Sequence, residues 1–281
     1  MENILLGSNL QYYKFPFSAF LETQEKHGIT ALDLALISPH IYVDSEEVVD
    51  PYDITKKLKE KNIAVQAVTA MPYRYSVCSS PETIQNEKTI GYYQQCILFA
   101  QKIGAKYVLV TASGAEYDQS CTVLMDNAIR TLSVLSSFAL THNVSLLFGT
   151  VLGEESPNNS STPVLTHLWE VKELLSQVHS PGLKAYLDTL AASLAGETIS
   201  QWFDMFGENL CLVRFTDGNY NGYRVWGTGC LPCKKFLNEL KMNGFHGPLS
   251  LAVPGERYSD MPAKAENELL TNLRTALLQV S

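Results

Sequence analysis

The chain has little positive charge and no long uninterrupted hydrophobic run. Its 281 residues include 21 Lys and Arg against 29 Asp and Glu, which gives a net charge of -8, and the basic residues form no stripe. This balance argues against nucleic acids and anionic membranes as partners. No uninterrupted apolar stretch approaches the roughly 18 residues of a membrane-spanning helix. The first residues lack a basic region and an apolar signal core, so we expect a cytoplasmic protein.

Cysteine is too sparse for a secreted disulfide framework. The 6 cysteines are scattered, and only Cys230 and Cys233 form a C-x-x-C pair. A redox pair would favour a thioredoxin-like context, and a zinc site would need a second ligand pair; neither is found. We therefore expect this pair, which lies at a predicted helix start, to bind no metal and to exchange no disulfides.

Linkers are absent too, and no G-x-G-x-x-G follows the first predicted strand, which argues against a dinucleotide-binding sheet. Short β-branched runs instead alternate with amphipathic stretches at a period near 35 residues, as in parallel strands joined by crossover helices. Eight such units predict one α/β domain over residues 1–281, a closed (β/α)8 TIM barrel. The predicted strands are 4–8, 31–37, 64–70, 107–111, 145–149, 184–188, 211–215 and 249–253. The predicted helices are 16–27, 51–61, 81–103, 120–142, 163–178, 198–206, 232–243 and 262–280.

In such a barrel, function lies at the carboxyl ends of the strands. The last four predicted strands place Gly149, Asp188, Arg214 and Ala252 at or next to these ends. Only one of the four is a carboxylate. These positions therefore decide what chemistry the barrel mouth can perform.

Several motifs resemble those of one family. They are AVTAMPYRY from Ala67, FAQKIGAKYVLVT from Phe99, YLDT from Tyr186, VRFTDG from Val213, WGTG from Trp226 and NGFHGPLSLAV from Asn243. Their order and spacing resemble the xylose-isomerase-like sugar isomerases and epimerases, and more narrowly the fructoselysine and ketose 3-epimerases. Any one motif is weak, but together they span nearly the whole chain.

The resemblance implies a divalent metal held by Glu, Asp, His and Glu from strands five to eight, with both glutamates moving protons. Abstraction of a proton next to a carbonyl needs an oxyanion stabiliser and a base. This chain has Gly149, Asp188, Arg214 and Ala252 at those places. Glycine and alanine offer no ligand atom, and arginine stays protonated. The metal site is expected to be degenerate, and no cofactor is expected.

Other residues near the predicted strand ends are candidates for ligand contact. We expect a polar cavity at the mouth, lined by His40, Glu155, Asp188 and Arg214, with Arg214 paired to Asp188 in place of a metal. His40 follows strand two and resembles the Pro-His of the fructoselysine epimerases, although it could equally be a packing histidine. The full set of predicted substrate-binding residues is His40, Tyr73, Glu155, Asp188, Arg214, Asp217 and Trp226.

Two functions stay open. The first is a family member that binds a sugar-like or anionic small molecule, with little or no metal-dependent epimerase activity. The alternative is an active ketose or Amadori-compound epimerase that has rebuilt a Mn²⁺ or Mg²⁺ site from Glu154, Glu155, Asp217 or Glu256. A homo-oligomer is possible under either. The catalytic residues are not predicted, because the expected proton-transfer glutamates are missing.

Overall fold

The computed structural model describes residues 3–46, 50–71, 75–112, 119–152 and 163–280. Eight parallel strands close into a barrel in the order β1-β10-β7-β6-β5-β4-β3-β2. The barrel strands are β1 (Leu5–Gly7), β2 (Ala31–Ala35), β3 (Ala64–Thr69), β4 (Tyr107–Thr111), β5 (Ser145–Gly149), β6 (Leu183–Asp188), β7 (Leu210–Arg214) and β10 (Leu249–Ser250). A separate antiparallel hairpin consists of β8 (Asp217–Asn219) and β9 (Gly222–Arg224).

Helices connect the strands and cover the barrel. They are α1 (Phe17–His27), α2 (Tyr52–Glu60), α3 (Ile84–Ile103), α4 (Cys121–Thr141), α5 (Leu168–Val178), α6 (Thr189–Leu194), α7 (Ile199–Phe206), α8 (Cys233–Met242) and α9 (Pro262–Val280). A short 3-10 helix, Asn9–Tyr12, follows β1, and another, Gly207–Asn209, precedes β7. Every predicted strand and helix is present, so the (β/α)8 prediction is confirmed. The hairpin and α6 were not predicted.

Helix ends follow the residue types that tolerate left-handed backbone. Gly28 and Gly104 follow α1 and α3 with φ of 66° and 82°. Asn62 and Asn143 have φ of 53° and 57° one residue beyond the caps of α2 and α4. A positive φ costs glycine nothing and asparagine little, so each helix can stop just before the next strand begins.

Inside the barrel, side chains form an apolar layer with a polar layer above it. The apolar layer takes one residue from each of seven strands: Leu6, Ala31, Ala67, Leu109, Leu147, Tyr186 and Leu212. Nearer the carboxyl ends, buried Asp33 of β2 accepts hydrogen bonds from Thr69 of β3 (2.7 Å) and Ser250 of β10 (2.5 Å). These bonds tie three strands together directly beneath the mouth.

Helix α4 is, by length and composition, able to cross a membrane. The absence of an uninterrupted apolar run therefore did not exclude such a helix. Half of the most apolar segment of α4 is buried inside the protein. There α4 packs against α3, α5 and β5. The core helices of soluble proteins can be equally long and apolar, and the packing of α4 indicates that it is a core helix.

Candidate functional site

Asp188 and Arg214 are the last residues of neighbouring strands β6 and β7, and they are directly opposite each other in the register. Arg214 Nη1 lies 3.7 Å from Asp188 Oδ2, and the two side chains are 7% and 1% exposed. The expected ion pair is therefore present. Its length exceeds that of a hydrogen bond, so the pair neutralises charge without using up the guanidinium donors.

Asp188 has other, shorter partners. Its Oδ1 accepts from the backbone amides of Leu190 (3.0 Å) and Ala191 (3.1 Å), which caps α6. Its Oδ2 accepts from the Tyr223 hydroxyl at 3.0 Å. Burial raises the pKa of this carboxyl above its ordinary value, whereas the Arg214 charge, these amides and Tyr223 act in the opposite direction. Asp188 is thus a structural carboxylate with its oxygens already occupied.

Tyr186 of β6 occupies the space beside Gly149. A Cβ built on Gly149 would lie 2.6 Å from Tyr186 Cζ and 2.7 Å from its Cε1, closer than real Cβ contacts. Arg214 Cζ lies 5.2 Å from the centre of the same ring, within the range of a cation–π contact. A glutamate at position 149 would therefore displace the ring that supports Arg214.

The tyrosine and arginine keep unsatisfied groups. The hydroxyl of Tyr186 and the Nε of Arg214 are buried, and neither has a hydrogen-bond partner within the described ranges. Burial raises the pKa of Tyr186 to about 12, against the opposing effect of the Arg214 charge. The hydroxyl is therefore neutral at physiological pH and remains a possible donor.

The described residues do not fit a divalent metal. Ala252 lies in an apolar cluster with Leu10 and Ala35, Gly149 has no side chain, and Arg214 cannot be a ligand. No group of three or more His, Cys, Asp or Glu that could hold a metal occurs in the part of the chain that the structure describes. One carboxylate is too few to hold Mg²⁺ or Mn²⁺ in competition with water.

Two of the four carboxylates that could rebuild a metal site, Asp217 and Glu256, lie within the described residues. Both Asp217 oxygens accept backbone hydrogen bonds, from Gly218 and Leu231 on Oδ1 and from Gly227 and Gly229 on Oδ2. Asp217 therefore fixes the loop between β9 and α8. Glu256 is exposed at the rim of the cavity. Glu154 and Glu155 lie outside the described residues.

A cavity of about 750 Å³ opens at the carboxyl ends of the strands. Arg214 and Tyr223 line it together with three threonines from consecutive strand ends, Thr69, Thr111 and Thr150. Much of the remaining wall is apolar and includes Leu10, Met71, Leu109, Val151, Leu152 and Pro254. The cavity is therefore where the barrel rule expects it, but it is less polar than the strand-end residues suggested.

His40 is a packing histidine in this structure. Its Nε2 lies 2.7 Å from the Phe15 carbonyl, and its Nδ1 lies 3.2 Å from Asn9 Nδ2. Asn9 is oriented by a second pair of bonds to the backbone of Ala35, so its amide nitrogen must donate to Nδ1 and the proton of His40 must be on Nε2. The ring also packs against Phe17. Both nitrogens are thus occupied, and His40 does not line the cavity.

Trp226 is also turned away from the cavity. It is 1% exposed, donates from Nε1 to the Phe215 carbonyl at 2.9 Å, and packs on the Phe215 ring. The WGTG segment that suggested a sugar-stacking face therefore packs behind the mouth. Asp217, as described above, is likewise structural. Tyr73 and Glu155 lie outside the described residues.

Tyr223 was not among the site residues predicted from the sequence. It belongs to β9 of the hairpin, which brings its hydroxyl onto Asp188 and its side chain into the cavity wall. The available signal was Asn221-Gly222, a dipeptide that favours tight hairpin turns, although the turn that forms is Tyr220-Asn221 because Gly222 pairs with Asn219. The short strands on either side lack apolar alternation, so the sequence predicted a loop in this segment.

Cys233 of the C-x-x-C pair is not an activated thiol. Cys230 and Cys233 are both free, and burial together with the nearby Asp217 raises the pKa of Cys233 to about 12. A redox-active thiol needs a lowered pKa. That they bind no metal and exchange no disulfides stays a prediction.

Comparison with known proteins agrees with this architecture. Residues 21–275 match the model of the xylose isomerase-like TIM barrel family. The structure is similar to a D-tagatose 3-epimerase-like protein (TM-score 0.77, 16% identity, covering 99% of this chain and 100% of that one). It is also similar to an L-ribulose 3-epimerase (0.76, 14%, 99% and 97%) and to a 3-keto-D-glucoside 4-epimerase from E. coli (0.76, 13%, 98% and 100%). No curated protein sequence matches.

At such identities the solved structures establish the fold alone, whereas the family match spans most of the chain. The match includes all four positions at which a metal ligand was expected, from Gly149 to Ala252. The chain belongs to the xylose isomerase-like TIM barrel family.

Proposed function

We propose that this protein binds a sugar-like or anionic small molecule at the barrel mouth, with Arg214 as the positive charge in place of a metal. It has little or no metal-dependent epimerase activity. The observation that carries this proposal is the position of Arg214, which is paired with Asp188, contacts the Tyr186 ring and lines the cavity.

Arg214 is suited to recognition because its donors remain available. Asp188 is held by Leu190, Ala191 and Tyr223 rather than by the guanidinium. The longer ion pair fixes the arginine without using its hydrogen-bonding capacity. A ligand oxygen in the cavity can accept these charge-assisted bonds, which are the stronger class of hydrogen bond.

Among the described residues, epimerisation lacks the groups that it needs. A base must reach the substrate carbon, and among the described residues that line the cavity, Glu256 is the only carboxylate and is exposed at the rim. Asp188, which was expected to line the cavity, is buried, contacts Tyr223 and Arg214 and is not part of the cavity lining. We therefore derive no proton transfer from these residues.

The alternative of an active epimerase draws support from the similar structures, which are named as sugar epimerases. It would require Glu154 or Glu155 to supply what the described residues lack. A sugar-like ligand is compatible with either function, so ligand binding and metal-dependent turnover must be measured separately.

The test combines binding with turnover. We expect calorimetry to detect binding of D-gluconate or D-fructose to the wild-type protein and its loss in Arg214→Met. Arg130→Met is the matched control, because Arg130 is exposed on α4 and its loss changes the net charge equally. We expect NMR to show no Mn²⁺-dependent epimerisation of D-fructose. Binding that is unchanged in Arg214→Met, or Mn²⁺-dependent turnover, would contradict the proposal.

A further inference from the structure

The cavity above Arg214 continues into a second chamber. This chamber has a volume of about 680 Å³ and shares Leu10, Met71, Gly255 and Glu256 with the first. Single sites for drug-sized ligands have volumes of about 300–1,000 Å³. Two adjoining chambers of this size exceed what one monosaccharide fills. The ligand is therefore expected to extend from Arg214 past Met71.

The second chamber has an apolar and aromatic wall. It includes Leu36, Ile41 and Val43 and the rings of Tyr13, Tyr42 and Tyr75. Its only ionisable side chain besides the tyrosines, among the described residues, is Glu256 at the shared edge. Such a wall favours an apolar or aromatic body, because a polyol would lose hydration there without gaining enough hydrogen bonds.

The charges around Arg214 select among anions. Asp188 is 3.7 Å from the guanidinium, and Asp33 is close enough to act on the Arg214 charge. Both carboxylates are held by other groups, Asp33 by Thr69 and Ser250, and so both stay in place when a ligand binds. Arg257 also lines the first cavity, but at its exposed rim, where solvent screens its charge, whereas the second negative charge of a dianion on Arg214 would face these two buried carboxylates. A monocarboxylate adds only one and matches the planar guanidinium.

We infer that the ligand is a monocarboxylic acid with an apolar or aromatic body, its carboxylate on Arg214 and its body across Met71 in the second chamber. This inference rests on the proposed function, since it specifies what the Arg214 site binds. The carboxylate can accept from the guanidinium donors that the ion pair leaves open. The body covers the tyrosine and aliphatic wall.

The experiment measures calorimetric affinities of four probes: phenylbutyrate, phenylbutyramide, phenylbutyl phosphate and D-gluconate. We expect phenylbutyrate to bind about tenfold or more tightly than the amide, because a charged hydrogen bond is lost in the amide. We also expect it to bind more tightly than the phosphate or gluconate. An amide of equal affinity, or tighter binding of the phosphate or gluconate, would overturn the inference.

Two variants test the second chamber. Met71→Trp narrows the passage between the chambers and should weaken phenylbutyrate binding about tenfold, whereas Met71→Leu should preserve it. Should Met71→Trp not fold, Tyr42→Asp places a charge on an exposed part of the wall and should also weaken phenylbutyrate. Unchanged affinity in Tyr42→Asp, or in a folded Met71→Trp, would overturn the two-chamber placement.

Failure of this inference is distinct from failure of the proposed function. If D-gluconate or D-fructose binds in an Arg214-dependent way and phenylbutyrate does not, only the acid with an apolar body is excluded. If none of these compounds binds, the proposed role of Arg214 in recognition is wrong as well.

Discussion

Gly149 is a packing requirement in this protein, as well as a position at which the family resemblance implies a metal ligand. The Tyr186 ring fills the place of any side chain at this position, and the same ring faces Arg214. Three positions are thus coupled: glycine admits the ring, the ring supports the arginine, and the arginine neutralises Asp188. Restoring the glutamate alone would break this arrangement before it could bind a metal.

Gly149→Ala should therefore destabilise the fold by about 1–3 kcal/mol, the usual cost of overpacking. The loss should shrink when Tyr186→Leu is present, because the smaller side chain makes room for the added methyl. Urea unfolding of the two single variants and the double variant measures this coupling. Strictly additive losses would show that the ring is not the obstacle.

Asp188 combines a charge with a helix cap, and two variants separate them. Asp188→Ala should cost about 3–5 kcal/mol, because it leaves Arg214 buried without its counter-charge and uncaps α6. Asp188→Asn keeps an oxygen for the amides of Leu190 and Ala191 and should cost less. Urea unfolding compares them, with exposed Asp204→Asn as control. Equal losses in Asn and Ala would remove the capping contribution.

At the scale of elements, Glu266 connects α9 with the first 3-10 helix and with α1. This carboxyl accepts from the Tyr12 hydroxyl at 2.5 Å and from Gln24 at 2.6 Å. Desolvation raises its pKa, and the two hydrogen bonds lower it in part. Because the folded pKa is above the unfolded one, Glu266 favours folding most below its unfolded pKa, about 4.3. That contribution is lost as the pH rises through the folded pKa.

Glu266→Gln should remove this dependence. The free energy of unfolding of the wild type, relative to this variant, should fall as the pH is raised from about 4 to about 7. Urea unfolding across that range measures it. Glu268→Gln is the matched control, since Glu268 is exposed on the same helix and makes no side-chain hydrogen bond or ion pair with the described residues. If both substitutions give the same pH profile, the account of Glu266 is wrong.

The elements themselves were largely predictable, and the reasons are local. Alternating apolar runs and Gly or Asn stops, such as Gly28 and Asn143, are set by neighbouring residues in the chain. The β8–β9 hairpin was not predictable in this way, since its short strands lack an apolar pattern and it is held by Asp217 and Tyr223 through contacts that only the fold creates.

At the scale of the whole molecule, the barrel rule located the mouth and the Asp188–Arg214 pair correctly because strand ends converge in any such barrel. The inward or outward direction of a loop side chain has no comparable rule. Trp226 and His40 face the protein rather than the cavity because nearby carbonyls, Phe215 and Phe15, take their ring nitrogens. Tyr186, buried in the apolar layer, gave no sign in the sequence that it fills the space beside Gly149.

At this mouth, we propose, Arg214 is held by Asp188 and Tyr186 and takes the place of a metal. Titration of the wild type and of Asp188→Asn with Mn²⁺ by calorimetry tests it most directly. We predict no micromolar Mn²⁺ binding in either protein, since among the described residues the buried carboxylates near the mouth, Asp188, Asp33 and Asp217, already have their partners. Micromolar binding to the wild type that disappears in Asp188→Asn, together with Mn²⁺-dependent epimerisation of a ketose, would contradict the account.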